Sequence, residues 1–189
     1  MQPNPIPNPT DVECLVKTAK VLIVDDEYYS RKVIRALLMA IGVTNIHDAS
    51  DGPGGLDAIR VLAPDFVILD WEMPGMDGAE FVRRVRSPMN FPYPNVPIIM
   101  LTGHGERSRV LEAVRLGVHE FLLKPVSSQA LLARMVSVLT KPRTMVKRDG
   151  HYVPEPRKPS SYKPEADGYA PRVEQGAVDQ LPPHMIFVN

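Results

Sequence analysis

Five times between Lys20 and Thr140, a short apolar run gives way to a segment with helical spacing, and that alternation leaves few folds open. Runs such as Val21-Leu22-Ile23-Val24 and Phe66-Val67-Ile68-Leu69 are apolar at every position, so strands made from them must be covered on both faces. Strands are expected at Lys20–Asp25, Asn45–Ala49, Asp65–Asp70, Ile98–Leu101 and His119–Leu123. Helices are expected from about Ser30 to Ala40, Gly54 to Leu62, Ala79 to Arg86, Glu106 to Leu116 and Ser128 to Leu139. In the first helix Val33, Ile34, Leu37, Leu38 and Ile41 form the apolar stripe and Gly42 ends it; in the second Leu56, Ile59 and Leu62 point inward, with Pro64 beyond. Ser127 or Ser128 can cap the fifth helix. Strands joined through helices run parallel, with helices on both faces, so the expected fold is a doubly wound α/β sheet.

Charge falls at the strand ends. The first strand runs into Asp25-Asp26, the third into Asp70 and the fifth into Lys124-Pro125. In an open parallel sheet, ligands bind beyond the carboxyl ends of the strands. Three acids and a lysine delivered to one edge suit a divalent cation beside a nucleophilic carboxylate, with a positive charge to balance an arriving anion.

The two ends of the chain differ from this middle. Prolines at 3, 5, 7 and 9 and the lack of an apolar stretch argue against a signal peptide, and residues 1–19 are expected to be a flexible arm. Residues 141–189 hold eight prolines and are expected to form a disordered tail. That tail has six Lys/Arg against two acids in 141–158, then two against four, and one apolar cluster, Met185–Val188. Formal net charge is zero, so no global attraction to nucleic acid or an anionic membrane is expected. The single cysteine, Cys14, allows no internal disulfide and fits a cytoplasmic location.

With those residues in view, the segment Lys20 to about Thr140 resembles the receiver domain of bacterial two-component response regulators. The resemblance rests on Asp25-Asp26-Glu27, Asp70-Trp-Glu-Met-Pro74-Gly75-Met-Asp77-Gly78, Leu101-Thr102-Gly103 and Lys124-Pro125. It implies a flavodoxin-like five-stranded sheet in the order 2-1-3-4-5. Asp70 would accept a phosphoryl group from a histidine kinase or histidine phosphotransfer protein. Mg2+ would be held by Asp25, Asp26, Asp70 and the backbone carbonyl of Glu72. Lys124, Thr102 and the backbone of Glu72 and Gly103 would meet the phosphoryl group. Thr102 and Phe121 would act as the switch, with the readout on the fourth helix, fifth strand and fifth helix. A Lys-Pro bond in the cis form is also implied, as is the possibility of a homodimer formed on phosphorylation. The downstream protein is not named by the sequence.

Each residue also has a plainer account. Asp70 precedes a Pro-Gly turn, Asp-Asp-Glu runs are common in solvated loops, and Thr102 and Phe121 are ordinary core residues. Their agreement in order and spacing favours the receiver. Glu72, two residues after Asp70, is where phosphohydrolases acting through an aspartate place a second acid, which makes such an enzyme the main alternative. A regulator whose basic 141–158 segment, with Tyr152, touches nucleic acid is a further one, although nucleic acid is not the expected partner. The glycines at 52, 54 and 55 read as a turn. His104 reads as an exposed loop residue and Trp71 as an apolar lid. His47, His119, His151 and His184 have no metal-ligand spacing.

Overall fold

The computed structural model describes residues 9–87, 91–103, 107–148 and 151–155, all within one compact unit. In chain order these are α1 (Pro9–Thr18), β1 (Lys20–Val24), α2 (Tyr28–Ile41), β2 (Asn45–Ala49), α3 (Gly52–Leu62), β3 (Phe66–Asp70) and α4 (Gly78–Val85). Then follow β4 (Ile98–Thr102), α5 (Arg107–Leu116), β5 (Glu120–Leu123), α6 (Ser128–Thr140), β6 (Met145–Arg148) and β7 (His151–Pro154). The five central strands are parallel and ordered β2-β1-β3-β4-β5, the doubly wound arrangement expected.

Alternation along the strands sorts the core into two layers. Val21, Ile23, Phe66, Ile68, Ile99, Leu101 and Leu122 pack with Ile34 and Leu38 of α2 and Leu131 and Met135 of α6. The opposite face carries α3, α4 and α5; there Gly55 of α3 lies so close to Val24 and Phe81 that a Cβ would meet them at 2.8–2.9 Å. Capping sets the helix ends. Asp51, Asp77 and Ser127 each accept a backbone N–H from the first turn of α3, α4 and α6, and Gly42 closes α2 at φ 98°.

Several expectations need correction. The helix expected from Gly54 starts two residues earlier, so the glycine-rich segment from Gly52 is helical and not a turn, because Asp51 caps it and Pro53 suits a first helical turn. Val33 is 58 % exposed, since the apolar stripe of α2 is wider than the face that meets the sheet. The flexible arm is ordered from residue 9: α1 lays Val12 and Val16 against α6, and Val16 joins the central cluster. The supposed tail is ordered to Glu155. There β6 and β7 pair antiparallel, with Arg148 opposite His151, and β7 packs on α5.

The hairpin is fastened through a buried arginine. Arg86, at the end of α4, is fully enclosed; its Nε donates to the Gly117 carbonyl (3.0 Å) and one terminal nitrogen to the Pro94 carbonyl (2.6 Å). Its own carbonyl accepts the Tyr152 N–H (3.0 Å). Burial, with the charge of Arg143 adding to it, lowers the Arg86 pKa to about 9, so the guanidinium stays charged at neutrality. Arg143 donates to the His119 carbonyl, tying the chain after α6 to the start of β5. The Met185–Val188 cluster, residues 1–8, His104 and all residues beyond 155 lie outside the described residues. No described helix is long and apolar enough to cross a membrane.

Candidate phosphoryl-acceptor site

The alternation that builds one core layer also aims the charged groups. Ile23, Ile68 and Leu122 face α2 and α6, and two residues further on stand Asp25, Asp70 and Lys124. All three thus stand at or just past the carboxyl ends of their strands. Asp25 and Asp70 are buried, at 1 % and 7 % exposure, while Asp26 is exposed. Carboxylate oxygens of Asp25, Asp26 and Asp70 lie within 4.8 Å of one another. The Lys124 ammonium bridges two of them, 2.8 Å from Asp70 Oδ1 and 3.0 Å from Asp25 Oδ2.

Backbone hydrogen bonds hold these groups in register. The Trp71 N–H reaches the Leu101 carbonyl (2.9 Å), and the Lys124 N–H reaches that of Thr102 (2.7 Å). Arg31 donates to the carbonyls of Asp25 (2.7 Å) and Asp26 (3.0 Å), pinning the acidic loop from α2. The Glu27 N–H bonds Asp25 Oδ1 at 2.8 Å. The Lys124-Pro125 peptide is cis. Gly78 permits the close return after Asp70: a Cβ there would lie 2.7 Å from the Asp70 carbonyl oxygen.

Electrostatics show how crowded the site is. Burial raises the Asp70 pKa, and the charge of Asp25 pushes the same way; Lys124 and the Trp71 N–H oppose this without cancelling it. For Lys124, burial by itself lowers the pKa, but hydrogen bonds and charges from Asp70 and Asp25 outweigh it and leave the ammonium raised. Further positive charge beside Lys124 would relieve the acids, and the donor set, oxygen only and in three carboxylates, suits a hard divalent cation.

The remaining sequence candidates fall around this cluster. Thr102 is fully buried at the end of β4, and Phe121 is buried on the same face of the sheet, its register partner being Met100. Phe121 is already largely inside, at 9 % exposure. Glu72 presents an exposed side chain and Gly103 an open backbone. Trp71 is buried beside Asp70, in keeping with an apolar lid. Two residues escaped the sequence reading: Arg31, described above, and Ser30, whose hydroxyl donates to Asp25 Oδ2 at 2.5 Å. The helix starts at Tyr28, two residues before the expected Ser30, and that first turn brings the Ser30 hydroxyl to Asp25.

Fold and site together define a class: a doubly wound α/β domain with a buried carboxylate, an acidic cluster and a lysine at one sheet edge. The chain belongs to the response regulator receiver domain family, whose model matches residues 21–136. It is 34 % identical over 122 residues to the chemotaxis protein CheY of Pseudomonas aeruginosa, covering 65 % of this chain and 97 % of that one. It is 31 % identical to CheY-3 of Vibrio cholerae, over 67 % of this chain and 96 % of that one. Among solved structures it resembles CheY4 of Vibrio cholerae (TM-score 0.59, 34 % identity, 65 % of this chain and 99 % of that one). It also resembles Borrelia burgdorferi CheY in a complex with CheX, BeF3 and Mg2+ (TM-score 0.59, 30 % identity, 65 % and 90 %). The chain is therefore a response regulator receiver, a component of phosphorelay signalling.

Proposed function

We propose that Asp70 is the phospho-acceptor. A carboxylate oxygen attacks phosphorus in line, an O–P bond forms as the P–N bond of a phosphohistidine breaks, and the freed imidazole takes up a proton from solvent. The observation that carries this reading is the Lys124 ammonium, 2.8 Å from Asp70 at the edge where three carboxylates converge. From there it can follow the charge onto a phosphoryl oxygen, so that catalysis consists of positioning and charge neutralisation.

Asp26, Asp70 and the Glu72 carbonyl would hold Mg2+ directly, and Asp25 would do so directly or through water. The ion would neutralise the phosphoryl oxygens as they arrive. Thr102 and the backbone N–H groups of Glu72 and Gly103 would receive the phosphoryl oxygens. The donor would be a histidine kinase or histidine phosphotransfer protein, and the output face would be α5, β5 and α6, switched through Thr102 and Phe121. Phe121 carries no hydroxyl, so such a switch would work by packing alone. Turnover would be confined to the domain's own phosphorylation and dephosphorylation. For a phosphohydrolase, Glu72 would have to face the reacting group, and its side chain is exposed.

Labelled phosphoryl uptake from acetyl phosphate with Mg2+ tests the reading. Wild type should take up a base-labile label, Asp70→Asn should take up none, and Asp26→Ala should need more Mg2+. Undiminished label on the Asn variant would refute the assignment of Asp70.

A further inference from the structure

We propose that Ser30 is a positioning residue for phosphoryl transfer, acting through Lys124; this rests on the reading of Asp70 as phospho-acceptor. An ammonium has three hydrogens to donate. In this structure Lys124 Nζ has three acceptors: Asp70 Oδ1 at 2.8 Å, Asp25 Oδ2 at 3.0 Å and Ser30 Oγ at 3.2 Å. The Ser30 hydroxyl donates its own hydrogen bond to that same Asp25 oxygen, at 2.5 Å. Asp25, Ser30 and Lys124 therefore close a triangle of hydrogen bonds, while the other Asp25 oxygen is engaged by the Glu27 N–H.

The triangle divides the work of the lysine. Two of its hydrogens are anchored on one side, to the β1 loop and to α2, and the third points at Asp70. When Asp70 becomes an acyl phosphate, its carboxylate charge passes to the phosphoryl oxygens. An ammonium held through two of its hydrogens needs to redirect only its third to follow that charge. Lysine stems are long and flexible, so without Ser30 the ammonium would sample more positions and spend less time at the reacting group. Ser30 contacts no reacting atom in this arrangement; its effect passes through the lysine and Asp25.

The experiment follows acetyl phosphate uptake by the change in fluorescence of Trp71, the sole tryptophan, at saturating Mg2+. A hydrogen bond to a charged group sets the scale: Ser30→Ala should lower the maximal rate about tenfold, with half-saturation by acetyl phosphate and by Mg2+ held within about twofold. Ser30→Thr, which restores the hydroxyl, should recover most of the rate. Ser30→Val, with the shape of Thr but no hydroxyl, should behave as Ala. In a Lys124→Ala background, Ser30→Ala should change the rate less than about twofold, because the residue it positions is gone. An Ala variant as fast as wild type, a Thr variant as slow as Ala, or a full Ser30→Ala loss without Lys124 would each overturn the proposal. Failure of wild type to take up phosphoryl at all, or uptake by Asp70→Asn, would instead sink the assignment of Asp70.

Discussion

As the proposed phospho-acceptor, Asp70 faces two demands that conflict when no metal ion is bound. It must be ionised to attack, yet burial first, and Asp25 second, raise its pKa above the ordinary 3.8. A carboxyl whose pKa is raised by folding binds protons more tightly in the folded state. Its ionised form therefore costs stability above the folded pKa, and that cost fades as pH falls through it. Asp70→Asn should accordingly melt at or above wild type in metal-free buffer near pH 7.5. The gap should close as pH is lowered toward 3.8, and saturating Mg2+ should reverse it by stabilising the wild type more than the variant. Thermal melts across pH, with chelator or with Mg2+, check all three statements. Gly78 makes the complementary case for shape. Gly78→Ala would press a methyl against the Asp70 carbonyl and the Trp71 Cα, both backbone, so the loop must move. A loss of about 1–3 kcal/mol in chemical denaturation is expected, together with slower phosphoryl uptake.

At the scale of elements, the sequence was most legible where a segment's chemistry is decided locally. Runs such as Phe66–Leu69 are apolar at every position and so declared themselves strands. The two-residue step from Ile23 to Asp25, from Ile68 to Asp70 and from Leu122 to Lys124 already placed three site residues on one face. What could not be read were elements that exist because of distant partners. Helix α1 has only Val12 and Val16 to bury, and the prolines at 3, 5, 7 and 9 that lead into it argue for disorder; it is held by the surface of α6. The hairpin did carry a signal, the Asp149-Gly150 pair between two β-rich tetrads, which favours a two-residue turn. The prolines and basic residues around it are instead those of a solvated tail. Its anchor, Arg86, looked like an ordinary helix-ending cation, and nothing local foretells a fully enclosed guanidinium. Two predictions belong here. Arg86→Met should leave the Gly117 and Pro94 carbonyls without their donor, costing about 1–3 kcal/mol for each. At about 2–4 °C per kcal/mol, the melting temperature should drop by several degrees, measured by calorimetry. Replacing Val16 by Asp should likewise destabilise the domain, since a residue 1 % exposed in the central cluster would become a buried charge.

On the scale of the whole molecule, stability and chemistry are anchored at opposite ends of the same five strands. The carboxyl edge holds Asp25, Asp70 and Lys124; Arg86, Gly117 and His119, with the hairpin fixed to them, gather where β4 and β5 begin. The loss predicted for Arg86→Met should therefore leave phosphoryl uptake per folded molecule unchanged at a temperature well below the melting transition. Uptake normalised to the folded fraction checks this, and a proportionate fall in that ratio would show that the two ends are coupled. For genetics, this separation sorts failures by cause. Random mutagenesis scored by loss of signalling should return two populations. Lesions around Arg86 should behave as temperature-sensitive alleles, rescued by cooler growth or by higher expression. Lesions at the acidic edge should accumulate to normal protein levels and resist both remedies, and the overproduced ones could still occupy the partners of the wild-type protein and act dominantly.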